Sequence, residues 1–144
     1  MHKILLAVDG SVHAERAVAH LIGLIRDGGL LGGNTEIHLV HVRPLLPERV
    51  SRTMTAEELD RHYQQDSDVA CRTAIVMLQN AGVEFIRHTR TGAPAENIVF
   101  CAKTLLCDSI VMGTHGAGFV AGVLLGSVAS KVVHLTEVPV TLVK

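Results

Sequence analysis

The chain has 144 residues with 13 basic and 14 acidic side chains, a formal net charge of −1, 48% hydrophobic residues and 19% charged ones. That length suits one globular domain burying roughly two-thirds of its unfolded surface. The composition excludes a disordered solvated chain and a basic protein that coats nucleic acid. No apolar run is long enough to cross a bilayer, and residues 4–8 are too short for a signal-peptide core. A cytoplasmic protein with neither membrane nor nucleic acid as partner is expected.

Three cysteines, Cys71, Cys101 and Cys107, lack C-x-x-C spacing and read as reduced, mostly buried side chains rather than a disulfide frame or zinc knuckle. Nine histidines raise the question of metal. His38 and His41 fall on opposite faces of a strand, and His13 and His20 lie about two helical turns apart. With no H-E-x-x-H and no compact Cys/His cluster, they are expected to be scattered packing or surface groups.

Residues 3–8 form a continuous apolar run that stops at Asp9-Gly10-Ser11, the pattern of a strand buried on both faces. Ser11 is an N-cap, after which Ala14, Ala17, Val18, Leu21 and Leu24 or Ile25 recur at helical spacing until Gly28-Gly29. Residues 35–42 return to strand character. Pro44 and Pro47 open a polar loop before a long helical pattern through Leu59, Tyr63, Ala70, Ala74, Met77, Leu78 and Ala81, closed by Asn80-Ala81-Gly82. Residues 83–90 begin apolar with Val83, Phe85 and Ile86 and then turn polar, as a strand near a sheet edge does.

After Gly92 and Pro94, a helical stripe runs through Ile98, Val99, Ala102, Leu105 and Leu106, and Asp108 precedes a compact strand at 109–112. Ser127 reads as the N-cap of a short helix marked by Val128, Val132 and Leu135, which Pro139 prevents from passing Val138. Residues 140–143 make the last strand. Five strands alternating with four helices predict an α/β fold: one domain, residues 1–144, with an open, mainly parallel, doubly wound sheet. If strands two and three lie on one side of the first strand and four and five on the other, the switch point brings Asp9 beside Gly113.

The segment after the fourth strand reads Gly113-Thr114-His115-Gly116, nine residues, then Gly126-Ser127. Glycines that let backbone amides approach an anion, followed by the positive end of a helix and a hydroxyl, form a coherent phosphate cradle. Gly116-Ala117-Gly118-Phe119-Val120-Ala121 matches G-x-G-x-x-A but sits far from a first βα turn and is rejected as a dinucleotide fingerprint. Gly122-Val123-Leu124-Leu125-Gly126-Ser127 lacks the lysine of a P-loop. Each residue also has a plain structural reading. Asp9 can terminate a strand and accept turn amides, Met112 and Val42 are core by type, and His115 without a visible partner reads as a solvated loop histidine rather than a base.

These residues resemble the universal stress protein family, in particular its ATP-binding branch, over essentially the whole chain. Lys3-Ile4-Leu5-Leu6-Ala7-Val8-Asp9-Gly10-Ser11 is similar to the family's opening strand and turn, Leu39-Val40-His41-Val42 to its second strand, and Thr91-Gly92-Ala93-Pro94-Ala95-Glu96-Asn97-Ile98 to the entry of its third helix. Asp108-Ser109-Ile110-Val111-Met112-Gly113-Thr114-His115-Gly116 with Gly126-Ser127-Val128-Ala129 matches the signature of the ATP-binding members, and Val138-Pro139-Val140 the terminal strand. Two departures stand out. Ala129 and Ser130 occupy positions where many members carry a hydroxyl and then an acidic residue, and the Gly32-Gly33 corner is longer than usual.

The resemblance implies that Gly113, Gly116, Gly126 and Ser127 hold phosphates, with Val128 also in the cofactor site. Asp9, with Ser11 beside it, would lie near the ribose and any magnesium. Ala7 and Val8 would line the adenosine site, Val42 would offer backbone groups to the adenine edge, and Met112 would add an apolar wall. It also implies a stress-response protein acting as an ATP-dependent switch or sensor, with hydrolysis slow at most, because no Walker lysine, arginine finger or paired carboxylates are in evidence. Two alternatives stand beside it: an interaction protein of the same fold that binds no nucleotide, and a weak magnesium-dependent ATP hydrolase. The apolar last strand, Val138-Pro139-Val140-Thr141-Leu142-Val143, leads us to expect a homodimer if it lies at an open edge.

Overall fold

The computed structural model describes residues 1–28 and 33–144. Gly29 and Gly32, to which the sequence assigns a helix stop and a long corner, lie outside the described residues. The elements are β1 (His2–Ala7), α1 (Val12–Arg26), β2 (Thr35–Arg43), α2 (Glu48–Ser51), α3 (Ala56–Asn80), β3 (Phe85–Thr91), α4 (Pro94–Thr104), β4 (Ser109–Gly113), α5 (Ser127–Leu135) and β5 (Val140–Val143). The five strands form one sheet in the order β3-β2-β1-β4-β5, with every neighbouring pair parallel.

The central strand explains the two-layered core. Ile4, Leu6 and Val8 point to the face covered by α1 and α3, where they meet Ala17, Val18, Leu21, Cys71 and Leu78. Leu5 and Ala7 point to the opposite face and meet Ile98, Cys101, Ala102, Ala129 and Val132 from α4 and α5. A strand buried on both faces has no use for polar alternation, so residues 4–8 read as an unbroken apolar run. All three cysteines are buried and free, and burial pushes the Cys107 thiol up to about 11.

Helix ends account for most differences from the sequence reading. The four expected helices become five, because the polar loop after Pro44 winds into the single turn α2, which buries none of its residues. Ser11 caps α1 by accepting from the Ala14 amide, and Thr55 and Glu58 form a reciprocal capping box on α3. Ser127, expected as an N-cap, is instead the first residue of α5, with Gly126 in the cap position. Val83, expected in the third strand, donates its amide to Leu78 O at 3.0 Å, while Gly82 donates to Gln79 O at 3.0 Å. That Schellman closure of α3 uses the residue before the strand can begin.

The same closure ends α4, where Cys107 N reaches Ala102 O at 2.8 Å and Leu106 N reaches Lys103 O at 3.2 Å. The left-handed position therefore falls on Leu106, with φ of 57°. Its side chain, assigned to the buried stripe by sequence, is 75% exposed. An L-residue in that conformation costs about 1–2 kcal/mol, partly offset by the entropy a glycine would lose. Leu106→Gly is expected to raise stability by up to about 1 kcal/mol, seen as a higher urea midpoint at unchanged slope.

Candidate functional site

The switch point expected between strands one and four is present. At the carboxyl ends of β1, β2 and β4 lies a cleft of about 760 Å³. Its walls include Ala7, Val8, Asp9, Val42, Met112, Gly113, Gly116, Gly126, Ser127 and Val128, so ten of the eleven residues chosen from sequence converge there. Ser11 does not line the cleft. Its oxygen caps α1 and its hydroxyl donates to His115 O at 3.5 Å, which makes it a support for the turn and loop.

Asp9 joins two segments distant in sequence. One carboxylate oxygen accepts from Ser11 N at 3.0 Å and the other from Ala117 N at 3.1 Å. The turn-residue reading and the binding-residue reading thus hold together: each oxygen keeps a further lone pair while tying the β1 turn to the loop after β4. Gly10 in that turn has φ of +83°, and a Cβ there would stand 3.3 Å from Ala70 Cα of α3.

Three glycines of the loop, Gly113, Gly116 and Gly126, stand where a Cβ would meet close neighbours. A Cβ on Gly113 would sit 2.7 Å from the His13 backbone, and one on Gly116 would sit 2.7 Å from an Asp9 oxygen. Gly126 donates its amide to Thr114 O at 2.8 Å. The loop between them folds back on itself through His115, whose Nε2 donates to Val123 O at 2.7 Å while Nδ1 pairs with the Thr114 hydroxyl at 2.9 Å. With both ring nitrogens engaged, His115 organises the loop, in place of the solvated side chain read from sequence. The rings of His13, His115 and Phe119 pack at centroid distances of 4.7–5.2 Å.

α5 opens into this cleft. No side chain caps it and its first turn holds no acidic residue. The first helical bond runs from Ser130 N to Gly126 O, so the amides of residues 127–129 precede the intrahelical ladder and, with the helix dipole, favour an anion. Val42 and Met112 are both core and wall, at 8% and 6% exposure.

Several wall residues escaped the sequence reading. Pro94 and Ile98 come from α4, and Arg43 and Asp66 stand at the β2 side of the mouth. There Arg43 Nε approaches an Asp66 oxygen at 2.6 Å, and His62 approaches the same oxygen at 3.1 Å. His41 pairs with Ser67 of α3 at 2.8 Å, and burial lowers its pKa against the opposing pull of Asp9. Such pairs join residues about two dozen positions apart on different elements, so no local motif announces them.

A model of the Universal stress protein family matches residues 1–144. The chain belongs to that family. A universal stress protein of Thermus aquaticus, from the 3′ region of a QAH/OAS sulfhydrylase, is 33% identical over 141 residues, 98% of this chain and 97% of its own. Among solved structures, hypothetical protein MJ0577 superposes with a TM-score of 0.79 at 28% identity, over 99% of this chain and 95% of that one. The universal stress protein from Archaeoglobus fulgidus in complex with dAMP shares the fold, with a TM-score of 0.69 at 23% identity over 100% of this chain and 98% of that one.

Because the Gly113 Cβ position is filled by α1 backbone, Gly113→Ala must push α1 from β4 and is expected to cost about 1–3 kcal/mol. Gly118 has nothing within 4 Å of its Cβ position, so Gly118→Ala should change stability by less than about 0.5 kcal/mol. Urea denaturation of both variants checks the contrast.

Proposed function

We propose that this universal stress protein binds an adenine nucleotide, ATP, in the cleft and serves as a nucleotide-dependent switch or sensor. The observation that carries the reading is the uncapped start of α5 facing a loop whose glycines bring main chain to the same cleft. The backbone at Gly113, Gly116, Gly126, Ser127 and Val128 holds the phosphates, with the Ser127 hydroxyl adding a donor. Apolar Ala7, Val8, Val42 and Met112 receive the nucleoside, and Val42 supplies main-chain groups to the base edge. The same fold accommodates dAMP in the Archaeoglobus fulgidus protein.

Asp9 suits Mg²⁺, since each of its oxygens retains a lone pair and a hard cation bound to phosphates needs only one or two protein carboxylates. Hydrolysis is slow at most. Among the described residues the one lysine or arginine in the cleft wall is Arg43, which is paired with Asp66 on the side away from β4, so none of them is placed to neutralise a transferring phosphoryl group. The stress-response and cytoplasmic roles follow the family.

The chain has no Trp and one Tyr, so nucleotide carried through purification should dominate the ultraviolet spectrum and be lost on denaturation and filtration. Where none is carried, calorimetry with added ATP reads binding. Ser127→Pro removes one amide and the hydroxyl while suiting the first helical position, because Gly126 before it is already extended at ψ of 161°. Losing bonds to a charged group, worth about 1.5–3 kcal/mol each, should weaken ATP binding at least tenfold with little change in stability. Unchanged affinity would remove the cradle assignment.

We further propose a homodimer through β5. Pro139 O and Val143 O accept from Ile110 N and Thr114 N of the β4 side. Strand alternation then turns the backbone groups of Val140 and Leu142 toward the open edge. The other edge, β3, carries Arg87, His88 and Arg90, charges that discourage strand addition. Sedimentation at micromolar concentration should give a dimer mass, and a monomer alone would refute this interface.

A further inference from the structure

Among the described residues, His41 in the cleft wall has one ring nitrogen bonded within the fold and one that no protein group meets. His41 is 6% exposed and Ser67 is completely buried, and Ser67 Oγ has His41 Nδ1, 2.8 Å away, as its one hydrogen-bond partner among the described residues. A buried hydroxyl must place its hydrogen on an acceptor or suffer the cost of an unmade bond. The acceptor available is Nδ1, so the imidazole carries its hydrogen on Nε2. Burial lowers the His41 pKa, which keeps the ring neutral and fixes it as a donor at that atom. Nε2 has no protein acceptor among the described residues, and His41 lies in the wall of the cleft. A nine-tenths buried donor in a cleft calls for an acceptor from outside the chain.

The neighbour narrows that acceptor. Asp9 is the charge that acts most strongly on His41, and its carboxylate only accepts. The register that sets Ala7 opposite Val40 carries Asp9 to the level next to His41 on the neighbouring strand, and a donor and an acceptor in one stretch of wall match a hydroxyl group, which gives its hydrogen to the carboxylate and takes one from the imidazole. A phosphate oxygen would be repelled by Asp9 unless a cation stood between them, and a ring nitrogen would satisfy His41 alone. The strand order supports the same assignment. His41 is on β2, two strands from β4, which places it about 10 Å from the phosphate end at roughly 4.8 Å per strand. Resting on the nucleotide reading above, we propose that His41, held in its Nε2–H form by Ser67, is a ligand-binding residue that donates to a ribose hydroxyl and makes the site selective for ribonucleotides.

The test is a titration of wild type and His41→Phe with ATP, 2′-deoxy-ATP and 3′-deoxy-ATP in the presence of magnesium. Wild type should bind one of the deoxy analogues roughly five- to tenfold more weakly than ATP, the effect of one unmade neutral hydrogen bond. His41→Phe should weaken ATP by a similar factor and narrow its preference over that analogue to what the bond to Asp9 alone supplies. Equal binding of all three by wild type, or discrimination undiminished in the variant, overturns the assignment while leaving nucleotide binding intact. Absence of ATP binding to wild type overturns both. Nitrogen-15 spectra of wild type supply a readout independent of the variant's folding. They should show His41 as the Nε2–H tautomer, with that nitrogen shifting on ATP addition, and an Nδ1–H tautomer would refute the proposal.

Discussion

Two parallel strands lying side by side whose chains must leave toward opposite faces create the cleft, and the remaining features of the site depend on that divergence. β1 runs through a tight turn into α1 on one side of the sheet, and β4 runs through the glycine loop into α5 on the other. Nothing in the sheet fills the wedge between them. The Asp9 carboxylate spans it, holding an amide from each departing segment, so the hollow is braced without any ligand. Its floor is formed by residues that belong equally to the core, which gives the pocket the stiffness of a packed interior.

The fold was legible because its signals are local and periodic. Residues 4–8 announce a doubly covered strand, Ser11 marks a helix start, and the apolar stripes of α1 and α3 repeat as a helix requires. What the sequence concealed was the chemistry of helix ends. A Schellman closure can absorb an apolar residue such as Val83 or force Leu106 into an uncommon conformation, and neither event alters the hydrophobic pattern. The cleft was legible for the same reason in its loop and turn, where Asp9, Gly113, Gly116 and Gly126, residues that all line it, sit in recognisable spacing. Packing adds a reason that the sequence did not show: α1, an Asp9 oxygen and the loop's own backbone stand close to the Cβ positions of Gly113, Gly116 and Gly126. The pairs His41 with Ser67 and Arg43 with Asp66 were invisible, since only the packing of α3 on β2 brings them together.

The distribution of charge suits retention better than chemistry. Main-chain dipoles at α5 attract an anion, yet the nearest wall carboxylate is acidic and the wall's lysine or arginine is already paired. His115, a tempting base in sequence, spends both ring nitrogens on Thr114 and Val123. Among the described residues the wall thus combines main-chain donors with the Asp9 carboxylate and offers no unpaired lysine or arginine.

The bond from Thr114 N to Val143 O, 2.9 Å long, joins the last residue of β5 to the first residue beyond β4. A strand laid against the free side of β5 would therefore stand a single peptide ladder from the stem of the glycine loop. Any shift of β5 along its axis must pull on that stem, and any rearrangement of the stem must tug on the outer border of the sheet. The border on which copies could meet and the hollow in which a small molecule could rest are mechanically contiguous.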